Sequence, residues 1–393
     1  MPSGPLEGVT VVELAGIGPA PHCCMMLSDM GATVIRCEPP GGRSGLSNHP
    51  SNVLSRGRKS IIVDLKRPEG RDIILRLCET ADAFIEGFRP GVTEKLGVGP
   101  DECMARNPKL VYARMTGFGQ AGPYASSAGH DINYIALTGA LHAIGPKDSK
   151  PSPPLNLVGD FGGGGMLMAF GIVSGLLQAK TTGKGNVIDG AMVDGASALL
   201  APLYGMMAAG QWKEEARGSN MLDGGAHFYD TYECKDGKYV SIGSIEPQFY
   251  ALLLKLSGLE SDPSMDPSKQ MKRDNWGAAK AALEAAMKTK TRDEWCAIME
   301  YTDICFAPVL TMREAFEHPH AKARGSYIDI GGVVQPAPAP RFSNTPAGVP
   351  AAPPVVGGDT VGVLKAVGMS DADIQKAIAA GVVVDRSRAA AKL

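Results

Sequence analysis

The stretch Val9-Thr10-Val11-Val12-Glu13-Leu14 is short, β-branched and bounded by Gly8 and Gly16. That pattern reads as a buried strand. Pro19 and Pro21 then open a helix over Cys23 to Met30, and Gly31 stops it. Thr33-Val34-Ile35-Arg36-Cys37 is the next strand. Strand, helix, strand in succession builds a parallel sheet through a crossover. Working outward, residues 40–60 are rich in Gly, Ser, Asn and Arg and read as a loop. Ile61 to Leu65 is a third strand, Glu69 to Glu79 a helix with Ile73, Ile74 and Leu77 on one face, and Ala83 to Glu86 a fourth strand. A helix around 101–106 precedes a fifth strand, Leu110 to Met115. The alternation predicts an α/β domain over roughly the first 185 residues.

The rhythm then changes. Met166 to Ala179 and Gly195 to Ala209 read as long apolar helices. Tyr229 to Cys234 and Tyr239 to Ile242 are two short strands around Asp236-Gly237, a hairpin signal. Residues 247–317 are mostly helical, with a polar loop near 261–273. From Val334 to Pro354 the chain is rich in Pro and Ala, hence extended and stiff, and a last helix runs from Asp371 to about Ala380. The expected fold class is α/β: a large Rossmann-like parallel-sheet domain plus a smaller α+β domain. The expected boundaries are 1–187 for the large domain, 188–224 for linker helices, 225–318 for the small domain, and 319–393 for a return linker and C-terminal segment that completes the large domain.

The chain has 393 residues, with 39 Lys+Arg against 41 Asp+Glu, a net charge of −2. No basic excess exists to neutralise a phosphate backbone, which argues against a nucleic-acid partner. The eight cysteines form no C-x-x-C pair and no Cys/His cluster with zinc spacing, so no metal site is expected. Free thiols suit a reducing compartment. The apolar run from Met166 to Leu177 is broken by Gly171 and Ser174 and is too short for a bilayer, and no secretory signal opens the chain. No membrane span is expected. The last residues, Ala391-Lys392-Leu393, are close to the Ser-Lys-Leu address. The expected location is the peroxisome or a related microbody, with the cytoplasm as the alternative.

Generic motifs fail. Gly16-x-Gly18 follows a strand, but Pro21 stands where a dinucleotide fingerprint needs glycine. Arg56-Gly57-Arg58-Lys59 carries three cations, and reads either as a solvated loop or as a seat for a polyanion. Two segments stand out instead: Ala128-Gly129-His130-Asp131-Ile132-Asn133-Tyr134 and Asn156-Leu157-Val158-Gly159-Asp160-Phe161-Gly162-Gly163-Gly164-Gly165. In each, an ionisable residue ends a Gly/Pro-rich loop before an apolar helix. Asp160 near a helix N-terminus reads as a cap or as a catalytic carboxylate.

Together with Val11 to Gly16, Gly31 to Arg36, Glu86 to Val92, Tyr112 to Gly117, Val193 to Gly195, Met221 to Ala226 and Ile245 to Tyr250, these segments make the chain resemble the alpha-methylacyl-CoA racemases of the family III CoA transferase superfamily. The resemblance covers essentially the whole chain. It implies an interlocked homodimer with the active site at the chain interface, an acyl-CoA thioester substrate, and no cofactor beyond the CoA of the substrate. His130 and Asp160 would be the two acid/base groups, with Glu246 orienting His130 from the small domain. CoA would lie along Val63, Asp64, Leu65 and Lys66, along Gly87, Phe88 and Arg89, beside Lys95, and along Gly129, Asp131, Ile132, Asn133 and Tyr134. One departure stands out. Where a family member carries an Arg after the second strand, this chain reads Glu38-Pro39-Pro40. Arg36 or the Arg56 to Lys59 run is then expected to make the anion contact.

The chemistry fits these residue types. Inverting a carbon beside a thioester carbonyl needs proton removal on one face and delivery on the other, so imidazole and carboxyl groups in opposite protonation states serve. Asp160 then needs a raised pKa, which burial supplies. The enolate oxygen needs donors, for which the backbone N–H groups near Gly129 to Asp131 are candidates. The rival is a CoA transferase of the same superfamily, with Asp131 as a nucleophile that forms an acyl anhydride. His130 argues for the racemase, because transferases typically carry an uncharged residue there.

Overall fold

The strand that opens the sequence forms as expected. In the computed structural model β1 is Thr10–Leu14, and four of its five residues are buried. The structure describes residues 3–42, 49, 51–214 and 216–387. The C-terminal Ala391-Lys392-Leu393 lies outside them.

The chain continues with α1 (Pro19–Asp29), β2 (Thr33–Glu38), β3 (Arg58–Val63), α2 (Pro68–Thr80), β4 (Ala83–Glu86), α3 (Val92–Lys95), α4 (Pro100–Arg106), β5 (Val111–Thr116), α5 (Asp131–Leu137) and α6 (Ala140–Ala143). A π-helical segment, Leu157–Met166, runs into α7 (Leu167–Thr182), followed by β6 (Asn186–Ala191) and α8 (Met192–Leu199). Next come α9 (Ala201–Ala208), β7 (Tyr229–Glu233), β8 (Tyr239–Gly243), α10 (Pro247–Ser257), α11 (Arg273–Met287), α12 (Arg292–Met299), β9 (Phe306–Pro308), α13 (Met312–Glu317) and α14 (Pro319–Arg324). The remainder is β10 (Tyr327–Ile330), β11 (Val333–Pro336), α15 (Thr360–Ala366), α16 (Asp371–Ala379) and β12 (Val383–Val384).

The chain separates into two compact units: Met1–Thr138, Leu155–Leu199 and Gly325–Leu393 in the first, Gly139–Pro154 and Leu200–Arg324 in the second. Residues 139–154, read from sequence as part of the large domain, fall in the second unit. Residues 188–199, read as linker, fall in the first.

The first unit carries a seven-stranded sheet in the order β12-β3-β2-β1-β4-β5-β6. Every pairing is parallel except β12 with β3. This is the Rossmann-like arrangement, with strand order reversing between β1 and β4. One face of the sheet packs Ile73, Ile74, Leu77, Leu364 and Ile374 from α2, α15 and α16. The other packs Cys23, Cys24 and Leu27 of α1 and Met168 and Ile172 of α7. The second unit has a three-stranded antiparallel sheet, β7-β8-β9, whose core includes Tyr232, Leu253, Trp276 and Trp295.

Three features differ from the sequence reading. β6 is not among the elements expected from sequence: Asn186, Asp189 and Gly190 dilute its apolar signal, and it lies mostly exposed at the sheet edge. The return segment carries the hairpin β10–β11, and β12 joins the sheet by pairing with β3 while α15 packs against it. Leu157–Thr182 is long and apolar enough to cross a membrane by length and composition. It is instead a layer of the first unit, with α7 packed on β5 and β6.

The expected anion contacts at Arg36, Arg56 and Arg58 are corrected by burial, whereas Lys59 of the same run is exposed. Arg36 is 2% exposed, bonded to Glu13, Glu38 (2.7 Å) and the Gly16 carbonyl. Arg58 bonds Glu13 (3.2 Å) and the Pro21 carbonyl. Arg56 holds Asp29 (2.5 Å), Gln335 and Pro336. These guanidiniums, two of them on the inner strands β2 and β3, offset buried carboxylates, where an uncompensated charge would cost several kcal/mol. They are committed to the fold.

Candidate active site

In an open α/β sheet the crevice for ligands lies beyond the carboxyl ends of the strands where the order reverses. A cavity of about 660 Å3 occupies that place. Ile17 to Ala20 line it from the end of β1, Gly87 to Pro90 from β4, and Thr116 to Phe118 from β5. His130, Asn133 and Tyr134 reach it from α5, and Asn156 and Asp160 from the π-helical segment. A second cavity of about 340 Å3 lies at the ends of β1, β2 and β3, lined by Glu38 to Pro40, Val63 to Lys66, Leu96 and Phe88. Phe88 lines both.

His130 is the residue before α5, in an extended conformation. Its backbone N–H donates to Asn133 Oδ1 (3.0 Å), which fixes the entry to the helix and leaves the imidazole exposed at the cavity. Tyr134 packs its ring against Gly117 and Gly129, where a Cβ would overlap it, and its hydroxyl donates to the Gly129 carbonyl.

Asp160 is half-buried in the first turn of a π-helix. Wide π turns are uncommon and recur at functional sites. Here glycines permit this one: a Cβ on Gly164 would crowd Pro19 of α1, on Gly165 it would crowd His22, and on Gly163 it would strike the backbone of α8. Asn156, left-handed at φ 59°, donates from its amide to Asp160 Oδ2 (2.9 Å). Burial raises the Asp160 pKa, and the nearby Asp131 charge raises it further. The Asn156 hydrogen bond and His130 oppose this without cancelling it.

Asp131 is 2% exposed. Its Oδ2 accepts the backbone N–H of Asp160 (2.6 Å), and the missing side chain of Gly159 makes room, since a Cβ would sit 2.5 Å from that oxygen. Asp131 therefore supports Asp160 from behind and is not among the lining residues.

The structure thus brings Gly87, Phe88, Arg89, Gly129, His130, Asn133, Tyr134 and Asp160 to one cavity, and Val63, Asp64, Leu65 and Lys66 to the adjoining one. Ile132 and Lys95 are exposed and line neither. Arg36 also lines neither. Glu246 lies in the second unit, exposed, just before α10. Among the described residues no cluster of His, Cys, Asp and Glu could hold a metal.

Sequence reasoning missed Gly18 and Asn156. Gly18 adopts φ 67°, ψ −117°, and its α-carbon faces Asp160, 3.2 Å from Oδ2 to an added Cβ. The signal was the pair Gly16-x-Gly18. Its use is close approach to a carboxylate rather than to a pyrophosphate.

A parallel sheet with a crevice at its switch point, holding an imidazole and a carboxyl group of raised pKa, defines a class of α/β enzyme with acid/base chemistry. The chain belongs to the CoA-transferase family III, whose family model matches residues 6–360. It is 47% identical over 372 residues to the alpha-methylacyl-CoA racemase of Mus musculus, covering 94% of this chain and 95% of that one. It is 45% identical to that of Homo sapiens over the same shares. Among solved structures, a CAIB/BAIF family protein from Brucella suis superposes with a TM-score of 0.80 at 29% identity, covering 93% of this chain and 100% of that one.

Proposed function

We propose that the chain is an isomerase that racemises 2-methyl-branched acyl-CoA thioesters by moving the proton on the carbon beside the thioester carbonyl. The observation that carries this reading is one cavity lined by both His130 and Asp160, with Asp160 held toward its neutral form by burial and by Asp131. Neutral His130 removes the proton from one face, and protonated Asp160 supplies one to the other. The electron pair left by the proton rests on the thioester oxygen as an enolate, where N–H groups at the start of α5 stabilise it. Protons are exchanged and no electron is gained or lost, so the reaction itself requires no redox cofactor.

The transferase reading asks Asp131 to attack a thioester. Its carboxylate is buried and already accepts the Asp160 N–H. That placement favours a supporting role, and the racemase names of the closely similar relatives agree. The CoA portion is assigned to the smaller cavity with Val63 to Lys66, beside the loop of Phe88.

A second copy of the chain is part of the proposal. Leu167, Phe170, Val173 and Leu177 are large, exposed and spaced along one side of α7, an apolar stripe that suits a partner helix. Glu246 of the second unit would then serve His130 within the dimer.

The test is exchange in deuterated buffer with a 2-methylacyl-CoA and no second acid. Deuterium enters the α-carbon if the reading is right, and a pure transferase leaves it untouched. His130→Ala and Asp160→Ala should each lower exchange by about 10²-fold or more, each preferentially from one enantiomer. If both variants retain wild-type exchange, the assignment of the two groups is wrong.

A further inference from the structure

Glu86 is the last residue of β4 and is fully buried. Its Oε2 accepts the backbone N–H of Phe88 (2.6 Å), and its Oε1 accepts from Arg114 Nε (3.2 Å). Arg114, on β5, reaches on to Glu94 of α3 at 2.7 Å. The loop from Gly87 to Gly91 is therefore held at both ends, by the end of its own strand and by the helix that follows it. Gly87 to Pro90 line the larger cavity, and Phe88 also lines the smaller.

We propose that Glu86 is a positioning residue for the acyl-CoA thioester, whose ionised carboxylate clamps the Gly87 to Pro90 loop in the shape that receives the ligand. This rests on the reading of the two cavities as the acyl-CoA site.

Charge-assisted bonds are about twice as strong as neutral ones. On protonation the Phe88 and Arg114 bonds weaken, and the guanidinium retains Glu94 as its alternative partner. The groups that face Glu86 are few. Arg114 and the Phe88 N–H favour its charge, and Glu94 opposes it. The Tyr112 phenol on β5 also feels Glu86, its own pKa raised mainly by burial. Glu13 of β1, in register with Ile85, is occupied by Arg36 and Arg58. Burial dominates and lifts Glu86 to about 7. The clamp thus engages as pH rises through neutrality and releases as pH falls.

The experiment is calorimetric titration of the full-length protein with dephospho-CoA from about pH 6 to about pH 8, a ligand with no phosphate monoester to titrate in that range. Wild type should bind about tenfold more weakly at the acid end, the fraction of ionised Glu86 setting the apparent affinity. Glu86→Gln should bind weakly throughout, with no pH slope, and should raise KM with little change in kcat. Glu86→Asp should restore part of the affinity. His130→Ala removes the cavity's imidazole and should keep the wild-type slope. A flat or inverted slope in wild type overturns the proposal without any variant. So does a slope that survives in Glu86→Gln or vanishes in His130→Ala. Absence of dephospho-CoA binding at every pH overturns the acyl-CoA reading itself.

Discussion

Asp131 and Asp160 are two carboxylates with different surroundings, and the difference supports the separate tasks proposed for them. Asp131 is buried and accepts a backbone N–H. Asp160 reaches the cavity with a raised pKa, in part because Asp131 is charged. Asp131→Asn keeps an oxygen acceptor and removes the charge, so the Asp160 pKa should fall. In the proposed direction where Asp160 delivers the proton it must start neutral, so the fall in rate at high pH should move to lower pH. A pH profile of deuterium exchange from each enantiomer reads this; an unmoved profile denies Asp131 the role. Both acids stand in recognisable segments of the sequence. Asn156 and Gly18 also lie in noticeable segments, but their roles are not legible there, because an amide donor and an absent side chain matter only through what the fold sets beside them.

At the scale of elements, the strands and helices around the sheet are legible because each carries its own periodicity and its own stop. Gly31 ends the first helix region as read, and α2 and β4 form within a residue of the expected spans. The π-helical turn is not legible. Four consecutive glycines read as loop, yet they are helical here because α1 and α8 pack too closely for any side chain. The same blindness affects Arg36. Its charge suggested a ligand contact, and only the sheet register, with Glu13 opposite Arg36, reveals an internal ion pair. Arg36→Ala leaves Glu13 and Glu38 buried with less compensation and should destabilise the protein by about 3 kcal/mol or more. Urea unfolding measures that loss. A variant as stable as wild type with weakened CoA affinity would restore the ligand role.

At the scale of the whole molecule, the apolar stripe on α7 has the character of an interface. Phe170→Lys places a charge in the middle of it and, if the proposed dimer forms there, should shift the protein to monomer in sedimentation, with activity falling in parallel. Mixing His130→Ala with Glu246→Ala should restore part of the activity if the second unit of one chain serves the first unit of the other. Two inactive variants that stay inactive when mixed would place His130 and Glu246 in the service of the same chain. A wild-type protein that sediments as a monomer would remove the dimer from the proposal.

The residues alone determined the α/β class, the parallel start and the hairpin of the second unit, and the family resemblance drew attention to His130 and Asp160, which the fold brings to one cavity. These rest on local pattern, on turn chemistry and on motifs contiguous along the chain. Tertiary structure decided which charges are spent inside the fold, which acid meets the cavity and which supports it, and where a glycine stands in for a side chain. Those outcomes depend on distances between segments far apart in the chain, and burial then sets the protonation and reach of each group.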